Sequence, residues 1–334
     1  MIFLQTTWFF LIGVFLVGYA ILDGFDLGVG VWHLFTKKDE HRRLMLKSIG
    51  PVWDGNEVWL ITGGGAIFAA FPPVYASVFS GFYIALVLVL LGLIFRAVSL
   101  EFRNKVESDS WRKKWDIAFS LGSFLPALLF GVALGNLVRG IELDSHGDYI
   151  GGFFALLNPY ALLVGVTGLA MFMLHGALWI AMKTDGELQE QARGWVRKMW
   201  IPYLVLFLLV STWSLVQYQR EMMIAAILAG LIALGGIVAA RFFSRANNDG
   251  KAFFASALSI AAMFAAAAAS LFPNLASASN DPYLSLTLYN ASSSQNTLTV
   301  MLVMALLGMP LVIGYTIYIY RVFAGKVTLT DPGY

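Results

Sequence analysis

Nine apolar runs, each of about 20 residues or more, take up most of this chain: 3–33, 53–73, 77–100, 116–137, 153–182, 199–218, 221–240, 251–273 and 298–322. That length matches the hydrocarbon thickness of a bilayer. Inside hydrocarbon a segment must satisfy its own backbone polar groups, which leaves only helices and closed barrels. The runs are continuous rather than alternating, and this selects helices. Composition agrees: 59% of the 334 residues are hydrophobic and 13% charged, where a soluble domain carries about 25% charge. Such a chain cannot cover itself with a polar surface. The expected class is an all-α polytopic membrane protein, a single membrane domain over 1–334 with nine transmembrane helices. The first run lacks a basic n-region and an A-x-A site, so it reads as a retained helix rather than a signal peptide. Cysteine is absent, which excludes disulfides, thiolate metal ligands and iron–sulfur clusters.

Lys and Arg placement sets the expected orientation. Nineteen of the 22 basic residues fall in the connections after the first, third, fifth and seventh runs and in the tail. The opposite loops hold only Arg139 and Arg220, and Arg96 lies within a run. The expected topology has the N-terminus outside and the C-terminus in the cytoplasm. Phe71-Pro72-Pro73 is expected to be a tight outer turn, and Ser277 to Gln295 the longest outer connection.

Against this background the acids are costly. A charge at a helix centre costs about 2.5–3.5 kcal/mol on insertion scales, and less near the interface. Asp23 and Asp26 lie at the end of the first run; Asp54 and Glu57 open the second. Arg96 and Glu101 end the third, and Asp116 opens the fourth. The topology gathers them at one depth on the cytoplasmic side. Asp23 and Asp26 share a helix face, as do Asp54 and Glu57. Two carboxylates so close in low dielectric do not both ionise easily, and a protonatable carboxyl group in a membrane is what a proton relay needs. Asp23 and Asp54, with no evident basic partner in the sequence, favour that role. Asp26, Arg96 and Glu101 read equally well as a packing ion pair.

Gly24, Gly28 and Gly30, then Gly63, Gly64 and Gly65, are read as sites of close helix contact; no G-x-G-x-x-G fingerprint is formed. Of the four histidines, His33, His41, His146 and His175, only His175 lies well inside a run. A bis-His haem site needs a second intramembrane histidine, and methionine is more often core filler than ligand. His175 therefore reads as a core residue before a haem ligand. His33 and His41 are placed at the cytoplasmic interface.

The stretches LDGFDLGVG (22–30), GPVWDGNEVWLITGGGAIFAAFPPVYA (50–76), FSGFYIALVLVLLGLIFRAVSLEFR (79–103), GSFLPALLFGVALGNLV (122–138), LLNPYALLVGV (156–166) and SSSQNTLTVM (292–301) resemble subunit II of the cytochrome bd-type quinol oxidases, including the cyanide-insensitive branch. The resemblance covers most of the chain. It implies two four-helix bundles plus one additional helix, in the bacterial cytoplasmic (inner) membrane. It implies a quinol:O2 oxidoreductase of aerobic respiration that reduces O2 to water and is electrogenic without pumping protons. The haems, two b-type and one d-type or haem b only, belong to the partner subunit I. This subunit is implied to be non-catalytic alone, with no catalytic residue, metal site or cofactor-binding residue of its own, and to form part of a cytoplasmic proton route. By motif, Asp23 and Asp54 match the proton-path residues, and Asp26 and Arg96 a supporting ion pair. Glu57 stands where relatives carry an amide, and His175 where some relatives have a non-ligand residue. Relatives also hold a structural quinone or small single-helix accessory subunits, which this sequence does not locate; lipid and quinone are implied partners, nucleic acid is not. The competing readings are a secondary transporter using the same acid cluster and a purely structural scaffold. Transporters show broken helices at matching positions of two repeats, and no second copy of the glycine-broken first run is evident.

Overall fold

The computed structural model describes residues 1–217 and 221–330. Its helices are α1 (Ile2–Leu34), α2 (Asp39–Ile49), α3 (Trp53–Ala70), α4 (Pro72–Gly81), α5 (Tyr83–Phe102), α6 (Asp109–Arg139), α7 (Pro159–Lys183), α8 (Gly186–Gln217), α9 (Met223–Arg245), α10 (Asp249–Leu271) and α11 (Gln295–Val322). Among the described residues, eight helices are long and apolar enough to cross a membrane: α1 and α5 to α11. The all-α, multi-pass class is the one expected. Of the three left out, α2 and α4 are short, and α3, which corresponds to the second expected run, carries Asp54, Asn56 and Glu57 in its first turns. Arg220 and the last residue of the sixth expected run, Tyr218, lie outside the described residues.

Several boundaries differ from expectation, and local chemistry explains each. The run at 153–182 opens with a short 3-10 helix, Phe153–Leu157, and becomes α-helical only at Pro159, because the Asn158 side chain accepts the Ala161 N–H at 2.9 Å as an N-cap and proline suits the first helical position. Phe71-Pro72-Pro73 is more than a turn: Pro72 opens α4, which ends at Gly81 before α5 begins at Tyr83. Two helices start well before their apolar runs, α6 at Asp109 behind the Ser108 cap and α8 at Gly186. Arg112, Lys113, Lys114, Arg193, Arg197 and Lys198 are thus helical rather than in loops. Hydropathy registers where hydrocarbon ends, whereas a helix continues as long as its backbone bonds can form.

The basic segment after α1 is also ordered. It folds into α2, whose Lys47 is buried and donates to the Leu329 carbonyl at 2.9 Å. The Ser48 carbonyl accepts the Trp179 indole N–H of α7 at 3.2 Å. The chain then turns into α3 at an unexpected depth. The Asn56 amide donates to the Leu22 carbonyl at 3.1 Å, so the first turn of α3 lies level with Leu22–Asp26. That is about 12–18 Å along α1 from its basic end. At the opposite end, the segment between α10 and α11 forms a small antiparallel pair, β1 (Asn274–Ala276) with β2 (Leu286–Thr287). It is tied to the end of α3 by the Ser293 N–H, which donates to the Ala70 carbonyl at 2.8 Å.

Helix α1 packs against α3, α6 and α7. Its closest approach is at Gly28, where an added Cβ would lie 1.9 Å from the Phe172 carbonyl oxygen of α7 and 3.0 Å from the Gly176 Cα. Contact this close is a backbone-to-backbone seam that only glycine permits. In the second glycine cluster only Gly63 meets a neighbour, Leu16 at 3.3 Å, while Gly64 and Gly65 face open space. One apolar core surrounds Phe25, which stacks on Trp179 at 3.9 Å. A second, around Trp8, Phe9, Phe71 and Phe82, fills the other end of α1.

This seam generates a stability prediction. Gly28→Ala is expected to lower the thermal unfolding midpoint of the detergent-solubilised protein, with an overpacking cost of about 1–3 kcal/mol. Gly235→Ala, at an α9 position open to its surroundings, is expected to be neutral or stabilising by up to about 1 kcal/mol.

Candidate functional site

Four helices converge on one buried guanidinium. Asp23 and Asp26, one turn apart on α1, are each 0% exposed, as is Arg96 of α5. Arg96 grips Asp23 with both terminal nitrogens: Nη1 donates to Oδ2 at 2.9 Å and Nη2 to Oδ1. Nη1 also donates to Glu57 Oε1 of α3 at 3.0 Å. The nearest Asp26 oxygen is 3.9 Å from Arg96. Asp26 Oδ2 instead accepts from the Asn56 amide at 2.7 Å, and the Tyr320 hydroxyl of α11 donates to Asn56 Oδ1 at 2.9 Å. The acceptors orient the amide: the Leu22 carbonyl and the Asp26 carboxylate both require its nitrogen, which leaves its oxygen to accept from Tyr320. Asp26 Oδ1 is buried and has no hydrogen-bond partner among the described residues.

The sequence-derived residues are therefore sorted in a new way. The structure brings Asp23, Asp26, Glu57 and Arg96 together. The expected Asp26–Arg96 ion pair is present but long, at 3.9 Å, while Asp23, read as lacking an evident basic partner, takes the bidentate and closer contact with Arg96. Asp26 and Asp23 differ by one turn, and only the position of α5 beside α1 decides which one the guanidinium meets. Asp54 lies exposed in the first turn of α3, close enough for its charge to act on Glu57. Glu101 is exposed near the end of α5.

A second charged network lies about 10–15 Å nearer the basic end of α1. There Asp116 of α6 is held by three groups at 2.6 Å each: His33 Nε2, Arg42 Nη1 and Arg103 Nε. Arg103 also donates to Asp39 at 2.6 Å. Desolvation opposes the charge on Arg103, but its hydrogen bonds to Asp116 and Asp39 outweigh that and raise its pKa above the ordinary arginine value. His33, expected at an interface, is 0% exposed. Sequence reasoning missed this network, and it missed Asn56 and Tyr320. The one available signal was Asp116 in an apolar run beside the surplus of arginines at 42, 43 and 103.

His175 has both ring nitrogens engaged within the chain. Nε2 faces the Ile21 carbonyl at 3.1 Å, which can only accept, and Nδ1 faces the Ser256 hydroxyl at 3.0 Å. The neutral Nε2–H tautomer satisfies both. Its ring stacks on Phe253 at 4.4 Å. Both ring nitrogens are thus used within the chain, and a bond from Nδ1 to iron would displace the Ser256 contact.

The family model described as cytochrome bd terminal oxidase subunit II matches residues 4–323. The chain is 38% identical to cytochrome bd-I ubiquinol oxidase subunit 2 of Escherichia coli, over 98% of this chain and 96% of that one. It is equally identical, at 38%, to cytochrome bd ubiquinol oxidase subunit 2 of Bacillus subtilis, over 98% of both chains. Its fold matches a chain of the bd oxidase structure from Geobacillus thermodenitrificans with a TM-score of 0.79, at 20% identity, covering 96% of this chain and 98% of that one. With a family model spanning nearly its whole length and full-length relatives, this chain belongs to the family of cytochrome bd terminal oxidase subunit II.

Proposed function

We propose that this chain is the non-haem subunit of a bd-type quinol:O2 oxidoreductase in the bacterial inner membrane, paired with a haem-bearing subunit I. We propose further that the Arg96 cluster belongs to its cytoplasmic proton-uptake route. Reduction of O2 to water consumes protons as well as electrons, and the haems of subunit I supply the electron chemistry. What this chain can contribute is the path for the protons. The observation that carries the reading is the grading of carboxylates from surface to core. Asp54 is exposed, the Glu57 side chain is 22% exposed, and Asp23 and Asp26 are fully buried. Three carboxylates around one guanidinium leave negative charge in excess, which suits a site that takes up protons.

The same reading organises the rest of the chain. We place nine crossings, with α3 as the short second one at about 27 Å. The N-terminus is outside and the C-terminus cytoplasmic, because the basic residues gather at one end. Packing among α1, α3, α5 and α6, and among α7, α8, α9 and α10, supports two four-helix bundles, with α11 the additional helix. Helix α11 is exposed along almost its entire length, and α3 next to it presents Asp54 with Val58, Ile61 and Phe68. Lipid is a poor neighbour for a carboxylate, so this face suits the partner subunit. Quinone and accessory helices remain partners implied by family membership alone.

Three outcomes are expected. The chain co-purifies with a larger haem-bearing membrane protein, and the visible spectrum shows haem in the complex; isolation in active form without such a partner would overturn the assignment. In the intact complex, Asp23→Asn and Asp54→Asn each reduce oxygen consumption by roughly tenfold or more; near-normal turnover in both would leave only the scaffold role. His175→Ala leaves the haem spectrum unchanged, and a lost haem band would show that it ligates iron.

A further inference from the structure

We infer that Asp26, positioned by Asn56 and Tyr320, is the carboxyl group that carries the proton through the cluster, and that Asp23 is the fixed counter-ion of Arg96. The inference rests on the proton-uptake reading and reassigns the roles within it. Both Asp23 oxygens accept from Arg96, a bidentate geometry that belongs to an ionised carboxylate. Protonating Asp23 would break that fork and leave a fully buried guanidinium undercompensated, a strongly unfavourable change. Asp23 is therefore poorly suited to gain and lose a proton in every turnover.

Asp26 meets the opposite conditions. Its nearest approach to Arg96 is 3.9 Å, an ion pair without a direct hydrogen bond, so its charge can change without breaking the bidentate fork that holds Arg96. Oδ2 has one donor, Asn56, and the buried Oδ1 has none among the described residues. Oδ1 is the atom where a proton can be received. The charged and titratable groups around it come from every helix of the cluster: Asp23 of α1, Glu57 of α3, Arg96 of α5 and Tyr320 of α11, with Tyr19 beside Asp23. Two carboxylates against one guanidinium make a proton on Asp26 a relief of excess negative charge. The step is proton transfer alone: an O–H bond forms at Asp26 as one breaks on an incoming hydronium ion, which leaves as water, and Asp26 then releases the proton toward the partner subunit, where O2 reduction consumes it; no electrons move at Asp26.

Tyr320 and Asn56 are positioning residues. Without the Tyr320 hydroxyl the Asn56 oxygen loses its donor, and the amide is held only through its nitrogen, which weakens its grip on Asp26 Oδ2. Tyr320 is itself anchored, since three residues further on the Phe323 carbonyl accepts from Lys183 Nζ at 2.6 Å and the Val327 N–H donates to the Lys183 carbonyl at 2.8 Å.

The test uses the purified two-subunit oxidase, with haem content read from the visible spectrum and oxygen consumption measured as a function of pH. Asp26→Asn is expected to retain haem, to lose about tenfold or more of turnover, and to flatten the pH–rate profile. Asp26→Glu is expected to recover turnover to within about threefold. Tyr320→Phe should keep haem content and move the alkaline limb up by as much as about one pH unit, because the Asn56 amide then stabilises the carboxylate less well. Asp23→Asn should also lose turnover, because Arg96 loses its fixed counter-ion and less complex assembles, but the pH profile of the surviving enzyme should keep its shape and position. Wild-type turnover and profile in Asp26→Asn, with Asp23→Asn and Asp54→Asn impaired, would overturn this assignment while preserving the proton route. Wild-type behaviour in all three would remove the route itself. If Asp26→Asn does not assemble, an unchanged profile in Tyr320→Phe is sufficient to overturn the proposal.

Discussion

The buried guanidinium of Arg96 is the constraint from which much of the arrangement follows. Moving an ion of this size into a medium of low dielectric costs on the order of 20 kcal/mol in the idealised limit, and several kcal/mol after relaxation. A helix carrying such a group can sit in the protein interior only if neighbours bring carboxylates to it. Asp23 and Glu57 do so from α1 and α3, which sets the relative depth of three helices. The short α3 starts level with Leu22–Asp26 because Asn56 and Glu57 must meet partners there. Helix α2 and the turn after it then have to carry the chain down to that depth.

Two charged networks share this end of the molecule, and they differ in how completely their carboxylates are satisfied. Around Asp116, three basic side chains hold both carboxylate oxygens, and the network ties α1, α2, α6 and the segment after α5 together. A group so fully bonded is best suited to fixing helix positions. Around Arg96 the bonding is uneven. Asp23 is held twice, Glu57 once and only from a partly exposed side chain, and Asp26 keeps one oxygen without a hydrogen-bond partner among the described residues. Uneven satisfaction in a buried site is expensive, and its retention points to a group that changes state.

The helical class and the importance of two short motifs were legible in the sequence. Apolar runs of bilayer length leave few alternatives, and acids in LDGFD and WDGNE stand out because hydrocarbon penalises charge whatever surrounds it. The glycine seam was partly legible: Gly28 makes the expected close contact, while Gly64 and Gly65 make none. Less visible was anything lacking a charge or lying outside an apolar run. Asn56 is a neutral amide beside two acids, and Tyr320 is one of 13 tyrosines. Helix α2 read as a basic loop because its polar face dominates its composition.

By itself, then, the sequence determined that this chain crosses a membrane as helices and which residues are too costly to be incidental there. Both follow from transfer free energies, which depend on residue type and run length and so can be read without knowing neighbours. Only the tertiary structure decided who pairs with whom. Asp23 and Asp26 lie one turn apart on the same helix, both within reach of a long arginine side chain. The choice between them rests on a few ångströms in the placement of α5 and α11 against α1. Hydrogen bonds between residues 73 and 264 positions apart in the chain depend on that placement, and no local pattern in the sequence encodes it.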